Sequence, residues 1–295
     1  MKISKLNRQT RKILGEIHKE RIKYKKGYVR VINYLKLNSV NDRNIFTNKV
    51  CGDFGCGNHA GNAKRMLIQG AKYVHLVDLS KNVLPQINFS LKNFKNKYKF
   101  TLGSVENLQF KKNYFDIINC SGVIHHTDND LKAFKEIYRV LKKNGTAFIT
   151  VHGEGGLLTR FTMEIVRKEY FKNKIVRKIL NELINGELKK YLPFFKENLQ
   201  KKNYNKIKNI INIFSEPDLR LTFKDRILSP KYKLYNYKKL KKYLLSLGFK
   251  KIIRTPIKPY FNNIRDLLAP LYSNPQHVLS KFLYGDGMLR FIAKK

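Results

Sequence analysis

Tryptophan is absent from this chain, cysteine occurs three times, and acidic residues are few: 21 Asp and Glu stand against 61 Lys and Arg. Each shortage excludes something. Cys51, Cys56 and Cys120 are odd in number and lack the spacing of a metal site or a disulfide framework, so a reducing, cytoplasmic setting is their simplest home. No apolar run is long enough to cross a bilayer. The opening MKISKLNRQTRK has no apolar stretch behind its positive charges, so no secretory signal is expected there. The 295 residues, 42% of them hydrophobic, still suffice to bury a substantial core.

The formal charge of +40 admits two readings. One is a nucleic-acid or anionic-membrane partner. The other is coding bias: Lys far outnumbers Arg, Asn, Ile, Tyr and Phe are plentiful, and the Lys residues are spread along the chain. A specific nucleic-acid site usually draws on the forked guanidinium of Arg. No specific nucleic-acid partner is therefore expected, only non-specific adhesion to polyanions or to an anionic membrane surface. Oligomeric state has no signature in the sequence.

Residues 1–44 read as a basic helical segment, with ILGEIHKERI at helical spacing and Tyr24, Tyr28 and Tyr34 following. Strands and helices then alternate. NKVCGDFG, KYVHLVDLS, KYKFTLGS, YFDIINCSGV and TAFITVHG read as five strands. NAKRMLIQG, closed by Gly70, and KNVLPQINFSLKNF read as helices between them. DNDLKAFKEIYRVLKKNG is the clearest helix. Its expected stripe is Leu131, Phe134, Ile137, Tyr138 and Leu141, with Asp128 or Asp130 as cap and Gly145 as stop. The alternation implies parallel βαβ units and a doubly wound sheet. From 155 to 235 it breaks into basic amphipathic helices such as KIVRKILNELI. A compact helix ending at Gly248 and two strands, KKIIRTPIK and MLRFIAKK, close the chain. The expected fold is α/β: a Rossmann-like, seven-stranded, mostly parallel sheet with helices on both faces. The expected organisation is an N-terminal segment (1–44), a cofactor-binding core (45–154), a helical insertion or lid after strand five (155–235) and a C-terminal completion of the sheet (236–295).

The loop after strand one, VCGDFGCGNHAG, should face a ligand, because open α/β sheets bind at the carboxyl ends of their strands. Gly55, Gly57 and Ala60 fit a dinucleotide fingerprint, and Asp78 ends strand two where a ribose-binding acid belongs. Asp53 opposes that reading. A dinucleotide would place a pyrophosphate at this turn, next to the carboxylate. A donor with a sulfonium and an ammonium group, and no phosphate, suits the acid better.

Taken together, these motifs resemble the class I S-adenosylmethionine-dependent methyltransferases. DFGCG matches the family's D-x-G-x-G motif, VDLS its second motif, and GSVENLQF its third. FDIINCSGVIHHTDN followed by LKAFKEIYRVLKKNGTAFIT matches the region of strands four and five. The resemblance covers roughly residues 45–155. It implies S-adenosyl-L-methionine as cofactor, held by Asp53, Gly55, Cys56 and Gly57, by Asp78 and Leu79 at the ribose, and by Ser104, Val105 and Glu106 around the adenine, with Ser121 beyond. Where the family often has an acid to accept from the adenine amino group, this chain has Ser104. Either Ser104 or the backbone near Val105 takes that part. Glu106 reads equally as a site residue or a loop carboxylate.

His125 and His126 follow strand four on the side where a methyl acceptor should lie. They read either as a general base for a hydroxyl or ammonium acceptor, or as packing residues. No metal is expected from adjacent histidines without a third ligand. Asn119-Cys120-Ser121-Gly122 lacks the prolines of DNA amino-methyltransferases, and Cys120 lacks the preceding proline of cytosine-carbon enzymes. The expected acceptor is a small molecule methylated on oxygen or nitrogen, with an RNA or protein acceptor, or an NAD(P)-dependent oxidoreductase, as alternatives. The insertion should choose the acceptor, whether by shielding the site, gripping an anion or lying on a membrane.

Overall fold

The computed structural model describes residues 5–22, 44–58, 60–255 and 276–295. Tyr24, Tyr28 and Tyr34 lie outside the described residues, as does the end of KKIIRTPIK after Thr255.

A helix, α1 (Lys5–Ile22), precedes the sheet. Then come β1 (Val50–Phe54), α2 (Gly61–Ile68), β2 (Tyr73–Asp78), α3 (Leu84–Ser90), β3 (Tyr98–Leu102), β4 (Phe115–Ser121), α4 (Asp130–Val140) and β5 (Leu141–His152). The insertion runs through α5 (Leu157–Arg160), a π turn (Phe161–Val166), α6 (Arg167–Lys172), α7 (Lys174–Asn185), α8 (Leu192–Asn198), α9 (Lys201–Ser215) and α10 (Pro217–Leu228). α11 (Tyr237–Ser246), β6 (Lys251–Arg254), α12 (Val278–Tyr284) and β7 (Met288–Lys294) complete the order.

The seven strands form one sheet in the order β3-β2-β1-β4-β5-β7-β6. β1 to β5 are parallel; β7 runs antiparallel to β5 and to β6. Strands buried on both faces read as continuous apolar runs, and neighbours in sequence serve opposite layers. Ile118 packs with Phe54, Phe134, Ile137 and Leu244 on one side of the sheet. Ile117 packs with Met66, Leu76 and Ile87 on the other. The order reverses between β1 and β4, which opens the crevice where such sheets bind ligands. Among the described residues no helix is long and apolar enough to cross a membrane.

Two expectations need correction. Asn129, not Asp128 or Asp130, caps α4, accepting from Lys132 N–H at 2.9 Å. The helix ends at Val140, not at Gly145: Leu141 is already extended and begins β5 opposite Phe115. Long-range bonds decide this. Asp116 accepts from Lys142 Nζ at 2.8 Å and from Val50 N–H at 2.9 Å, and Lys295 Nζ donates to the carbonyls of Tyr138 and Leu141 at 2.7 Å each. The buried stripe is accordingly Ala133, Phe134, Ile137 and Val140, while Leu131 is exposed.

Candidate functional site: a glycine loop over two acids

Gly55 and Gly57 have φ of 71° and 61°. At Gly55 any side chain is doubly excluded, because a Cβ would also stand 2.1 Å from Val123 Cγ2. The Gly55 and Cys56 N–H groups both donate to Val77 O, at 2.7 and 3.3 Å, which folds the loop over the end of β2. There Asp78 accepts from Gly57 N–H through Oδ2 and from Ser80 N–H through Oδ1, both at 3.0 Å. A carboxylate accepts about four bonds, so Asp78 keeps capacity for a further donor such as a ribose hydroxyl. Leu79, next to it, is half-buried. Burial raises the Asp78 pKa.

Asp53 lies beneath the loop rather than at its mouth. It is fully buried, with Asn119 Nδ2 donating to Oδ1 at 2.7 Å and Ala63 N–H to Oδ2 at 3.1 Å. In this arrangement the acid anchors the start of α2 and the neighbouring strand β4. Burial pushes its pKa up to about 6, opposed by the Asn119 bond, and the nearby Asp78 raises it further. Two carboxylates thus sit under one glycine loop, and the potential there is suited to a cation and hostile to a pyrophosphate. The residues present fit S-adenosylmethionine. Cys56, which the sequence reading placed in the loop, and Cys120 keep their protons, because burial raises both thiols.

Ser104, Val105 and Glu106 form a buried turn after β3. Glu106 N–H donates to Ser104 Oγ, and Ser104 Oγ–H donates to Glu106 Oε2, both at 3.1 Å. Glu106 Oε1 also accepts from Asn129 N–H at 2.5 Å. Glu106 therefore ties this turn to the start of α4, and Val105 belongs to the apolar core. Ser121 ends β4 opposite Thr150, half-buried.

The insertion leaves and returns at one point. Tyr235 N–H donates to His152 O, and Glu154 N–H to Tyr235 O, at 2.9 Å each. The returning segment lies on the loop after β4. Lys233 N–H donates to His125 O at 2.9 Å, and His126 Nδ1 is 3.0 Å from Lys231 O. Asp130 receives Lys233 Nζ at 2.7 Å and the Tyr235 hydroxyl at 3.0 Å. Under this cover His125 and His126 are buried, at 1% and 5% exposure. The His125 ring centroid lies 4.1 Å from His126, 4.7 Å from His152 and 5.2 Å from Tyr232. Burial holds the His125 pKa well below its usual range, which keeps the ring neutral; among the described residues its buried Nδ1 has no hydrogen-bond partner. His126 Nε2 stands 3.6 Å from Asp225 Oδ1 of α10. Among the described residues no His, Cys, Asp and Glu cluster could hold a metal ion.

Sequence reading missed His152, Tyr232 and the role of α1. His152 at the carboxyl end of a strand was a legible signal; Tyr232 carried none. α1 spans the Gly55–Gly57 loop and α10. His18 Cε1 lies 3.2 Å from where a Cβ of Gly57 would stand, and Glu20 pairs with Arg220 and Lys224 of α10 at 2.9 and 2.8 Å. Arg8, Arg11, Lys12, Gly15, Glu16 and Lys19 of α1 line, with Ser80 and Asn82, a cavity of about 310 Å³ beside Asp78.

Residues 52–149 match the family described as a methyltransferase domain. A tRNA U34 carboxymethyltransferase of Campylobacter jejuni is 32% identical over 108 residues, 36% of this chain and 36% of that protein. The matched stretch thus spans about a third of the length of the curated relatives it resembles. Phosphoethanolamine N-methyltransferase 2 of Haemonchus contortus, solved with S-adenosyl-L-methionine, superposes with a TM-score of 0.52 at 18% identity, over 91% of this chain and 53% of that chain. A S-adenosylmethionine-dependent methyltransferase of Thermotoga maritima superposes with a TM-score of 0.51 at 15% identity, over 97% and 99%. At these identities the structural likeness is one of fold.

Proposed function

We propose that this chain, whose residues 52–149 match a methyltransferase domain, is a class I S-adenosylmethionine-dependent methyltransferase that transfers the donor's methyl group to an oxygen or nitrogen of a small acceptor. The observation that carries the donor is the pair of acids, buried Asp53 and half-buried Asp78, at the Gly55–Gly57 loop and the switch point. Asp78 and the glycine loop would hold the donor, whose sulfonium supplies an activated methyl carbon. The acceptor's lone pair forms the new bond as the sulfur–carbon bond breaks, and alignment of the two supplies much of the rate. His125, His126, His152 and Tyr232 pack together beneath the returning segment, which favours a small acceptor there, with one of the two adjacent histidines taking a proton where the acceptor carries one.

A second reading has support of its own. The curated relatives named above act on tRNA by name, and the cationic face of α1 lines a cavity beside the donor site. An RNA acceptor predicts transfer of labelled methyl to tRNA, with affinity that falls steeply with salt.

The test is thermal unfolding with S-adenosylhomocysteine and with NAD, followed by transfer of labelled methyl to tRNA and to small-molecule pools. A ligand that binds only the native state raises the midpoint. The homocysteine product should raise it. A rise with NAD alone overturns the donor assignment, and label recovered in tRNA alone overturns the small acceptor.

A further inference from the structure

Apolar side chains beyond β5 take no part in the donor or acceptor site. α5 exposes Leu157 and Leu158 by 52% and 40%, and the π turn exposes Phe161 and Ile165 by 55% each. Residues 157, 161 and 165 recur every four positions, so they run along one side of the segment. α12 packs against α5 and exposes Val278, Leu279 and Phe282 by 77%, 52% and 59%. The two helices meet backbone to backbone: a Cβ on Gly156 would come within 2.2 Å of the Gly285 nitrogen. Single exposed apolar residues are ordinary, but a group on two touching helices marks an interaction surface. Arg160, Lys168, Lys172, Lys174 and Lys281 are exposed on the same and adjoining elements, with Glu154 and Glu164 as the exposed acids there.

Charge selects the occupant. A second copy of this chain would bring +40 against +40, and like charge of that size opposes association. An anionic bilayer offers the complement to both features, because interfacial helices bury an apolar face at the headgroup boundary while flanking Lys and Arg meet the lipid phosphates. We infer that α5, the π turn and α12 form a docking face for the surface of an anionic bilayer. Leu157, Phe161, Val278 and Phe282 enter the headgroup region, and the surrounding lysines hold the phosphates. Docking of this kind is independent of methyl transfer and is read without it.

The experiment is co-sedimentation of the full chain with vesicles of phosphatidylcholine alone or mixed with phosphatidylglycerol, at physiological salt. The parent protein should pellet with the mixed vesicles and much less with the neutral ones. A triple variant, Leu157→Gln, Phe161→Gln and Phe282→Gln, keeps every charge and should bind the mixed vesicles about tenfold less tightly. Its unfolding midpoint should match the parent, because all three side chains are exposed. Should that variant fail to fold, Val278→Gln with Leu279→Gln on α12 reads the same face with a smaller loss. Undiminished binding by the folded variants would show that charge alone attracts the protein and overturn the docking face. So would failure to pellet with mixed vesicles, equal binding to neutral vesicles, or a dimer that the variants dissolve.

Discussion

In residues 45–152 Phe54, Phe115, Ile118 and Phe134 have no exposure and form the core of the sheet, while Ile68, Phe89 and Leu131 lie outside it. In the insertion, Phe161, Phe171 and Phe194 are 55%, 55% and 60% exposed. The insertion buries fewer large side chains, Ile184, Leu221 and Ile227 among them, and polar pins add to its hold. The Arg167 guanidinium donates to the carbonyls of Arg226, Ile227 and Ser229 at 2.7, 2.9 and 2.7 Å, closing the end of α10. Asp130 grips the returning segment, and Glu20 of α1 grips α10. The difference teaches where each part's stability comes from. Each fully buried Phe contributes about 1.5–3 kcal/mol to the sheet, whereas a net hydrogen bond to a charged group gives about 1.5–3 kcal/mol and fixes direction. A core built on burial is rigid; a cap built on directional bonds can be retuned without disturbing what lies beneath.

Breaking the core should cost most. Phe134→Ala is expected to destabilise the protein by about 3–5 kcal/mol in denaturant unfolding; a loss under 1 kcal/mol would mean the sheet does not depend on this packing. Asp78→Ala should leave the fold intact yet weaken S-adenosylhomocysteine binding by about 2–3 kcal/mol, seen as loss of its thermal shift. An unchanged shift removes Asp78 from the site. Arg167→Met should loosen the insertion by about 1.5–3 kcal/mol. Hydrogen exchange should quicken in residues 157–230 and stay unchanged in β1 and β4, and uniform quickening would erase the distinction between the regions.

Acid should separate the empty and loaded protein. The Asp53 carboxyl titrates at about 6 in the fold against a usual value of 3.8. Its folded value is raised, so its contribution to stability is fully present below pH 3.8 and is lost as pH rises through about 6. A cationic donor favours the ionised form, so binding should tighten as pH rises through the same value, by up to about tenfold per unit. Calorimetric titration of the donor across this range checks the midpoint, and Asp53→Asn should flatten the profile. The smallest effect is expected at Phe194→Ala, within about 0.5 kcal/mol of the parent. A large loss there would mean the insertion has a packed core of its own.

Much of the sheet was legible before any coordinates. Strand one reads VCGDF, strand two YVHLVD, and both lie within the residues expected. Each is a short, mostly apolar run closed by polar or glycine residues, so local pattern suffices. The start of β5 was not legible, because KKNG reads as a helix end and only Asp116 and Lys295, distant in sequence, draw it into the sheet. The site divides the same way. Gly55, Gly57 and Asp78 stand in one loop system, as their spacing implied. Asp53 stood out in the motif, while its depth beneath the loop did not, because burial is invisible in a motif.

The sequence by itself determined the alternation of strands and helices, the glycine loop and the acid at the end of β2, since each is written within a few neighbouring residues. Only the tertiary structure decided that Asp53 supports the loop from below, that α1 spans the Gly55–Gly57 loop and α10, and that His125 and His126 pack together with His152 and Tyr232. Those outcomes rest on contacts such as His126 with Lys231, 105 positions apart. No local pattern specifies such a partner; the packing of the insertion back onto β4 and β5 does.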